Sequence, residues 1–159
     1  MEITIKAAKP EDWEIIQKLN HQLFISEKDH DEDIDLNYPL SEKGVDYYKK
    51  AAAGKYGICF IAYSGETPLG YIALSEKDFG YRKGKHIEVN DMAVDSEYRS
   101  KGVGKALMDK ASEWVKEQGA TKLYVLAYWK NTGGINFYKK NGFYELGLEL
   151  EKDLSKEKE

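Results

Sequence analysis

Disulfides, membrane spans and a net basic charge are all missing from this 159-residue chain, and each absence narrows its role. Its one cysteine, Cys59, lies in the apolar run Ile58-Cys59-Phe60-Ile61-Ala62. That excludes an intrachain disulfide and reads as a small buried hydrophobe rather than a nucleophile. With only 3 prolines, the composition is neither collagen-like nor of low complexity. No stretch of 18 apolar residues occurs, and Met1-Glu2-Ile3-Thr4-Ile5 has neither a charged leader nor a long apolar run. The reading is a soluble cytoplasmic protein with no membrane partner. Against 24 Lys+Arg stand 28 Asp+Glu, so a broad nucleic-acid-binding face is not expected. What is present is enough bulk for a core: 42% hydrophobic and 13% aromatic residues. The length fits one domain, residues 1–152, followed by a charged tail, 153–159, expected to fray.

Hydrophobic periodicity gives the order of elements. Ile3 and Ile5 alternate with polar residues as in a half-buried strand. Pro10 then opens a helix carrying Trp13, Ile16, Leu19, Leu23 and Phe24 at three- and four-residue intervals. After an acidic loop, Ser41 caps a second helix through Ala53, and strands over about 57–63 and 68–76 meet at the turn Ser64-Gly65-Glu66-Thr67. A strand over about 85–94 follows. A helix over about 102–118, with Val103, Leu107, Ala111, Trp114 and Val115 on one stripe, stops at Gly119. A strand (about 121–128), a helix (about 132–140) and a last strand (about 143–150) complete the order. Antiparallel hairpins early and strand-helix-strand crossovers late predict an α/β fold: a mixed, mostly antiparallel sheet with helices on both faces.

Two irregularities carry chemistry. In the 85–94 strand the bulky residues fall at odd positions, Ile87 and Val89, then at even ones, Met92 and Val94. One extra residue near Asn90 and Asp91 would produce that change of parity, hence a β-bulge; a strand buried on both faces is the other reading. Next comes Arg99-Ser100-Lys101-Gly102-Val103-Gly104-Lys105. Glycines at a helix start let backbone N–H groups approach a phosphate. A Walker A loop would need Gly where Arg99 stands and Ser or Thr where Ala106 stands, and a dinucleotide fingerprint would need Gly at Leu107.

The remaining pattern, Arg99-x-x-Gly102-x-Gly104 after a strand ending Met92-Ala93-Val94, resembles the GNAT superfamily of acyl-CoA-dependent N-acyltransferases. Asn131 and the run Asn136-Phe137-Tyr138-Lys139-Lys140-Asn141-Gly142-Phe143 extend the resemblance, which spans Ile3 to Leu150. Gly133-Gly134 departs from the Ala that many members carry at the start of the Asn-containing helix. The resemblance implies a sheet splayed at the bulged strand and acetyl-CoA as acyl donor, with no metal. Backbone N–H groups of Lys101, Gly102, Val103, Gly104 and Lys105 would hold the pyrophosphate, with Arg99 and Ser100 beside them. Met92, Ala93 and Val94 would line the pantetheine arm as an added strand. Asn131 would bond that arm or cap its helix, or both.

It also implies transfer of an acetyl group to a primary amine of a small molecule or peptide by direct attack. An alkylamine titrates near 10.4 and must lose a proton first. Glu88 is the first candidate base, Asp91 the second, either directly or through water; His86 is a third, beside the basic loop 81–85. Tyr138 would protonate the departing thiolate; a core aromatic is the plainer reading. Asp29, Asp31, Glu32, Asp33 and Asp35 would attract a cationic acceptor or be a solvated loop. They imitate a calcium loop, but its required Gly is Leu36. Tyr38, Tyr47, Tyr48, Tyr56, Tyr124, Tyr128 and Trp129 are candidate acceptor-pocket walls. Leu126, where ribosomal N-terminal acetylating members often have Glu, argues against that subclass. Dimers are common among similar proteins, and a homodimer is compatible with the chain. The rival reading is an acyl-CoA-binding or sensing module without catalysis, which would need neither Tyr138 nor Glu88.

Overall fold

A computed structural model describes residues 1–156. Its elements run β1 (Thr4–Ala7), α1 (Trp13–Glu27), α2 (Glu42–Ala52), β2 (Gly57–Ser64), β3 (Thr67–Lys77), β4 (His86–Val94), α3 (Val103–Glu117), β5 (Lys122–Val125) and α4 (Thr132–Lys140). The five strands form one sheet in sequence order, antiparallel except for the parallel β4–β5 pair. The class is the mixed α/β one expected.

Local chemistry sets most boundaries. Pro10 begins a 3-10 turn, Pro10–Asp12, before α1, and Lys9 N–H donates to Asp12 Oδ2 at 2.7 Å. Ser41 Oγ accepts from Gly44 N–H at 3.1 Å and starts α2, since a hydroxyl at that position satisfies an N–H that the helix cannot. Gly119, at φ 71°, ends the helical stretch of α3. Gly65, at φ 59°, turns the β2–β3 hairpin.

Two apolar layers lie on opposite faces of the sheet. Val103, Leu107, Met108, Ala111 and Val115 of α3 pack on Phe60, Ile72, Leu74, Ile87 and Val89. On the other face Ile16 and Leu19 of α1 and Tyr48 and Ala52 of α2 pack on Cys59, Ile61, Tyr71, Ala73 and Ala93. Each large apolar side chain so buried contributes about 1.5–3 kcal/mol. The second layer also holds a polar key: buried Asn20 donates through Nδ2 to Tyr71 OH at 2.8 Å and accepts from Tyr48 OH. It joins α1, α2 and β3. Cys59 is buried here as expected, and burial pushes its thiol pKa up, with the nearby Asp91 charge adding to the effect.

The sheet departs from expectation at its far end. No strand forms over 143–150: Phe143 N–H donates to Tyr138 O at 3.1 Å, and beyond it no ladder takes up the segment among the described residues. β5 is also shorter than 121–128, ending at Val125 with Leu126 exposed. Alternation records which face a strand would bury, but a strand also needs a neighbouring edge, and this chain does not bring one to the segment. Of the expected frayed tail, Leu154–Lys156 forms a 3-10 turn with Lys156 Nζ 3.3 Å from Glu32 Oε2. The remainder, 157–159, lies outside the described residues.

Candidate active site

The bulge on β4 is where the parity change put it. Ala73 pairs with Asp91 and Leu74 with Val89, leaving Asn90 as the extra residue. The parallel ladder from β4 to β5 covers His86↔Lys122 to Val89↔Val125 and stops at the same point. Beyond it, among the described residues, the 91–94 stretch shares a strand ladder with β3 alone, so the two strands part into a V with one main-chain edge outside any ladder.

Below the V lies the start of α3. Gly102 adopts φ 85°, where an L side chain is strained, and offers no side chain to cap the helix. Ser100 also has positive φ, 61°. The first intrahelical bond is Ala106 N–H to Gly102 O at 3.0 Å, so the amides of Val103, Gly104 and Lys105 have no acceptor within the helix. Lys101, Lys105 and Arg99 are exposed around this turn, although Lys105 Nζ pairs with Asp109 Oδ2 at 2.7 Å. Arg99 Nε donates to Val94 O at 3.4 Å, joining the turn to the end of β4. Gly104 has a second role not legible in the sequence. A Cβ there would meet Phe137 at 3.1 Å, so the glycine lets α4 approach α3. Donors of this kind, at the positive end of a helix dipole, fit a diphosphate, and the open 91–94 edge fits an extended amide-bearing arm.

On the opposite side, Asp91 Oδ2 accepts from Tyr47 OH at 2.6 Å. Asp91 keeps partial exposure, yet burial raises its pKa despite the lowering effect of the Tyr47 bond, and the Glu88 charge raises it further. Partial exposure with strong desolvation is what the floor of a recess produces. Glu88 is half-buried, 3.7 Å from Lys77 Nζ, and sits opposite Tyr124 inside the β4–β5 ladder. Tyr138 lies on α4 between Phe137 and Phe143, ring centroids 5.4 Å from each. Burial, then the charges of Glu27 and Asp91, push its phenol up to about 12. It is therefore protonated at neutral pH and shares a field with Asp91. Asn131 is the N-cap of α4, its Oδ1 accepting from Gly134 N–H at 2.9 Å. Gly134 answers the departure noted in the sequence, because a Cβ there would meet Asn131 Nδ2 at 2.4 Å.

His86 stands apart from this group. It is buried at the start of β4 against Phe79, ring centroids 5.2 Å apart, with Nδ1 3.2 Å from Gly84 O, about 15 Å along the strand from Asp91. The acidic loop is tied to the segment after β5 and to itself. Asp31 Oδ2 accepts from Tyr128 OH at 2.7 Å and Asp31 Oδ1 from Asp33 N–H at 2.9 Å, which hold its carboxyl below the ordinary range. Asp35 caps a turn through Asn37 N–H at 2.9 Å. Sequence reasoning passed over Glu27 and His30. They pair at 2.6 Å, and His30 lies 6.3 Å from the Tyr128 ring. Their only early signal was their place at the end of α1, next to the acidic loop.

The profile of the Acetyltransferase (GNAT) family matches residues 14–143, a span that holds both the bulged strand and the glycine turn. The chain belongs to the GNAT acetyltransferase family. Streptothricin acetyltransferase A of Bacillus subtilis is 34% identical over 113 residues, covering 71% of this chain and 55% of that protein. The chain spans about half the length, or less, of the curated relatives it matches. Among solved structures, a point mutant of the BH1408 protein from Bacillus halodurans superposes with a TM-score of 0.84 at 18% identity, covering 95% of this chain and 99% of that one. An aminoglycoside acetyltransferase, meta-AAC0020, from an uncultured soil metagenomic sample in complex with sisomicin gives 0.72 at 17%, covering 96% of each chain. Both share the GNAT fold. No helix among the described residues is long and apolar enough to cross a membrane.

Proposed function

We propose that this protein is an acetyl-CoA-dependent N-acetyltransferase acting on a primary amine by direct attack. The observation that carries the reading is the coincidence of three features: the end of the β4–β5 ladder at the bulge, the open edge of 91–94, and the unpaired amides that begin α3. Amides of residues 101–105 would hold the CoA diphosphate with Arg99 and Ser100 alongside. Main-chain groups of Met92, Ala93 and Val94 would align the pantetheine arm, with Asn131 reaching it from the start of α4. When bound, the thioester supplies an activated acetyl carbonyl.

The chain's own groups would then manage protons. Between the two carboxylates, Asp91 is favoured over Glu88. It lies just past the bulge where the β4–β5 ladder ends, its raised pKa brings it closer to a useful base at neutral pH, and Glu88 is engaged by Lys77. Asp91 takes a proton from the cationic amine, directly or through water. Tyr138, fully protonated because its pKa is pushed up to about 12, returns one to the leaving sulfur. Cys59 lies in the core, so no acetyl-cysteine step is invoked.

Glu27, Asp31 and Asp91 give the acceptor side a negative field suited to a cationic small-molecule amine. A relative named for streptothricin and a fold neighbour holding sisomicin make those compounds the first acceptors to try. The test is thiol release from acetyl-CoA with streptothricin, sisomicin, diamines and Lys peptides. Turnover with any of them is expected. Tight CoA binding without turnover on the whole panel would favour a sensing module, and no CoA uptake by folded protein would end the proposal.

A further inference from the structure

Between the end of β4 and the start of α3 the chain crosses residues 95–102 in conformations it would not hold alone. Ser100 at φ 61° and Gly102 at φ 85° are both left-handed, a region that a chain without outside bonds leaves readily. Tyr98 packs on the α3-side core, but residues 99–102 are exposed, and the bond from Arg99 Nε to Val94 O is long at 3.4 Å. Packing alone does not fix the turn.

What holds it lies at its upstream end. Asp95 N–H extends the β3 ladder by donating to Leu69 O at 2.8 Å, and Asp95 Oδ1 accepts from Glu97 N–H at 2.9 Å. A side chain from the opposite face of the sheet completes the junction. Gln22 of α1 donates through Nε2 to Asp95 Oδ2 at 3.0 Å and accepts through Oε1 from Ser96 N–H at 3.2 Å. A carboxamide is the group this junction needs, because one end must give a hydrogen and the other must take one. Glutamate would set a second carboxylate against Asp95, and an alkyl chain would leave both partners to water. Gln22 and Asp95 are half-buried, where a bond to a charged acceptor counts for more than it does at an exposed surface.

The grip has a firm base. Two residues before Gln22, Asn20 bonds Tyr71 of β3 and Tyr48 of α2, so this part of α1 is fastened to the sheet. We propose, on the reading that the glycine turn receives the CoA diphosphate, that Gln22 is a positioning residue for the acetyl donor: through Asp95 and Ser96 it holds the turn in its binding conformation and at a fixed offset from the 91–94 edge. It acts through those two residues and not by contact with CoA. Without it, the ordering of residues 99–105 moves from the folding step to the binding step, and CoA affinity falls by that ordering free energy.

Titration calorimetry with CoA and steady-state kinetics on the full chain test this. Gln22→Ala is expected to weaken CoA binding and raise the acetyl-CoA KM about tenfold, the scale of one hydrogen bond to a charged group, with kcat at saturation changed less than about threefold. Before any CoA is added, trypsin should cut after Arg99 and Lys101 about tenfold faster than in the wild type, with circular dichroism unchanged. Gln22→Glu should bind CoA at least as weakly, since it faces Asp95 with like charge. Adding Asp95→Asn to it should bring affinity back to within about threefold of wild type: the new amide donates to the new carboxylate, which still accepts from Ser96 N–H. That rescue reads the bond itself even where Gln22→Ala loses structure. Unchanged CoA affinity in Gln22→Ala, or a double variant that binds no tighter than Gln22→Glu alone, would overturn the proposal while leaving CoA binding by the wild type intact. A folded wild type that takes up no CoA would overturn both the role of Gln22 and the reading it rests on.

Discussion

Replacing Asp91 by Asn separates the stability of this fold from its chemistry. Asp91 sits where burial raises its pKa, and the bond from Tyr47 OH at 2.6 Å offsets that only in part. A carboxyl whose folded pKa lies above its unfolded value makes its full stability contribution below the unfolded pKa, and loses it as pH rises through the folded one. At pH 7 the ionised carboxylate is thus a net cost. The amide side chain would keep an oxygen for Tyr47 and remove the charge, so Asp91→Asn should stabilise by about 1 kcal/mol, or ~2–4 °C in Tm for a chain of this size. The gain should fade toward pH 4. Loss of a general base should lower kcat by about 10²–10³, and Glu88→Gln should lower it less than tenfold. Scanning calorimetry at pH 7 and pH 4 with steady-state thiol release measures both. A lower Tm for Asp91→Asn at pH 7 would refute the desolvation argument, and a larger kcat loss in Glu88→Gln would move the base to Glu88.

Tyr138→Phe should lower kcat by about 10²–10⁴ while leaving CoA affinity within threefold by calorimetry; equal loss of both would make Tyr138 a packing residue. Because its phenol is pushed up to about 12, wild-type turnover should hold level from about pH 8 to 10 rather than fall as an ordinary tyrosine ionises. Tyr47, Tyr48, Tyr71 and Tyr138 all have pKa values raised by burial, so their contribution to stability is complete below about pH 10 and is lost above it. Part of the tyrosinate absorbance should therefore appear only in step with loss of circular dichroism under alkaline titration, and complete tyrosinate formation in a folded chain would contradict this. Gly102→Ala adds a Cβ that meets nothing within 4 Å but forces an L residue to φ 85°, a cost of about 1–2 kcal/mol. It should weaken CoA binding at least fivefold by calorimetry, whereas unchanged affinity would release the α3 turn from its proposed role.

What could be read from the sequence was set by neighbours within about ten residues. The bulge at Asn90 followed from a parity change among Ile87, Val89, Met92 and Val94, and the start of α2 from Ser41, because both signals are local. The Tyr47–Asp91 bond joins residues 44 apart, and Glu27 meets Tyr138 only through the fold, so no local pattern announced either. The alternation in 143–150 was legible, but the edge needed to make it a strand was not a property of the segment. Gly104 was read for its backbone, yet the sequence could not show Phe137 pressing on it.

Asn20 has a consequence beyond its own bonds. Greasy surfaces of α1 and α2 could slide along the sheet by a helical turn at modest penalty, but the Tyr48–Asn20–Tyr71 bridge is satisfied in one alignment only. Tyr47, next to Tyr48, is thereby indexed over Asp91. The loop between α1 and α2 can then change in sequence while the Tyr47–Asp91 bond stays in place.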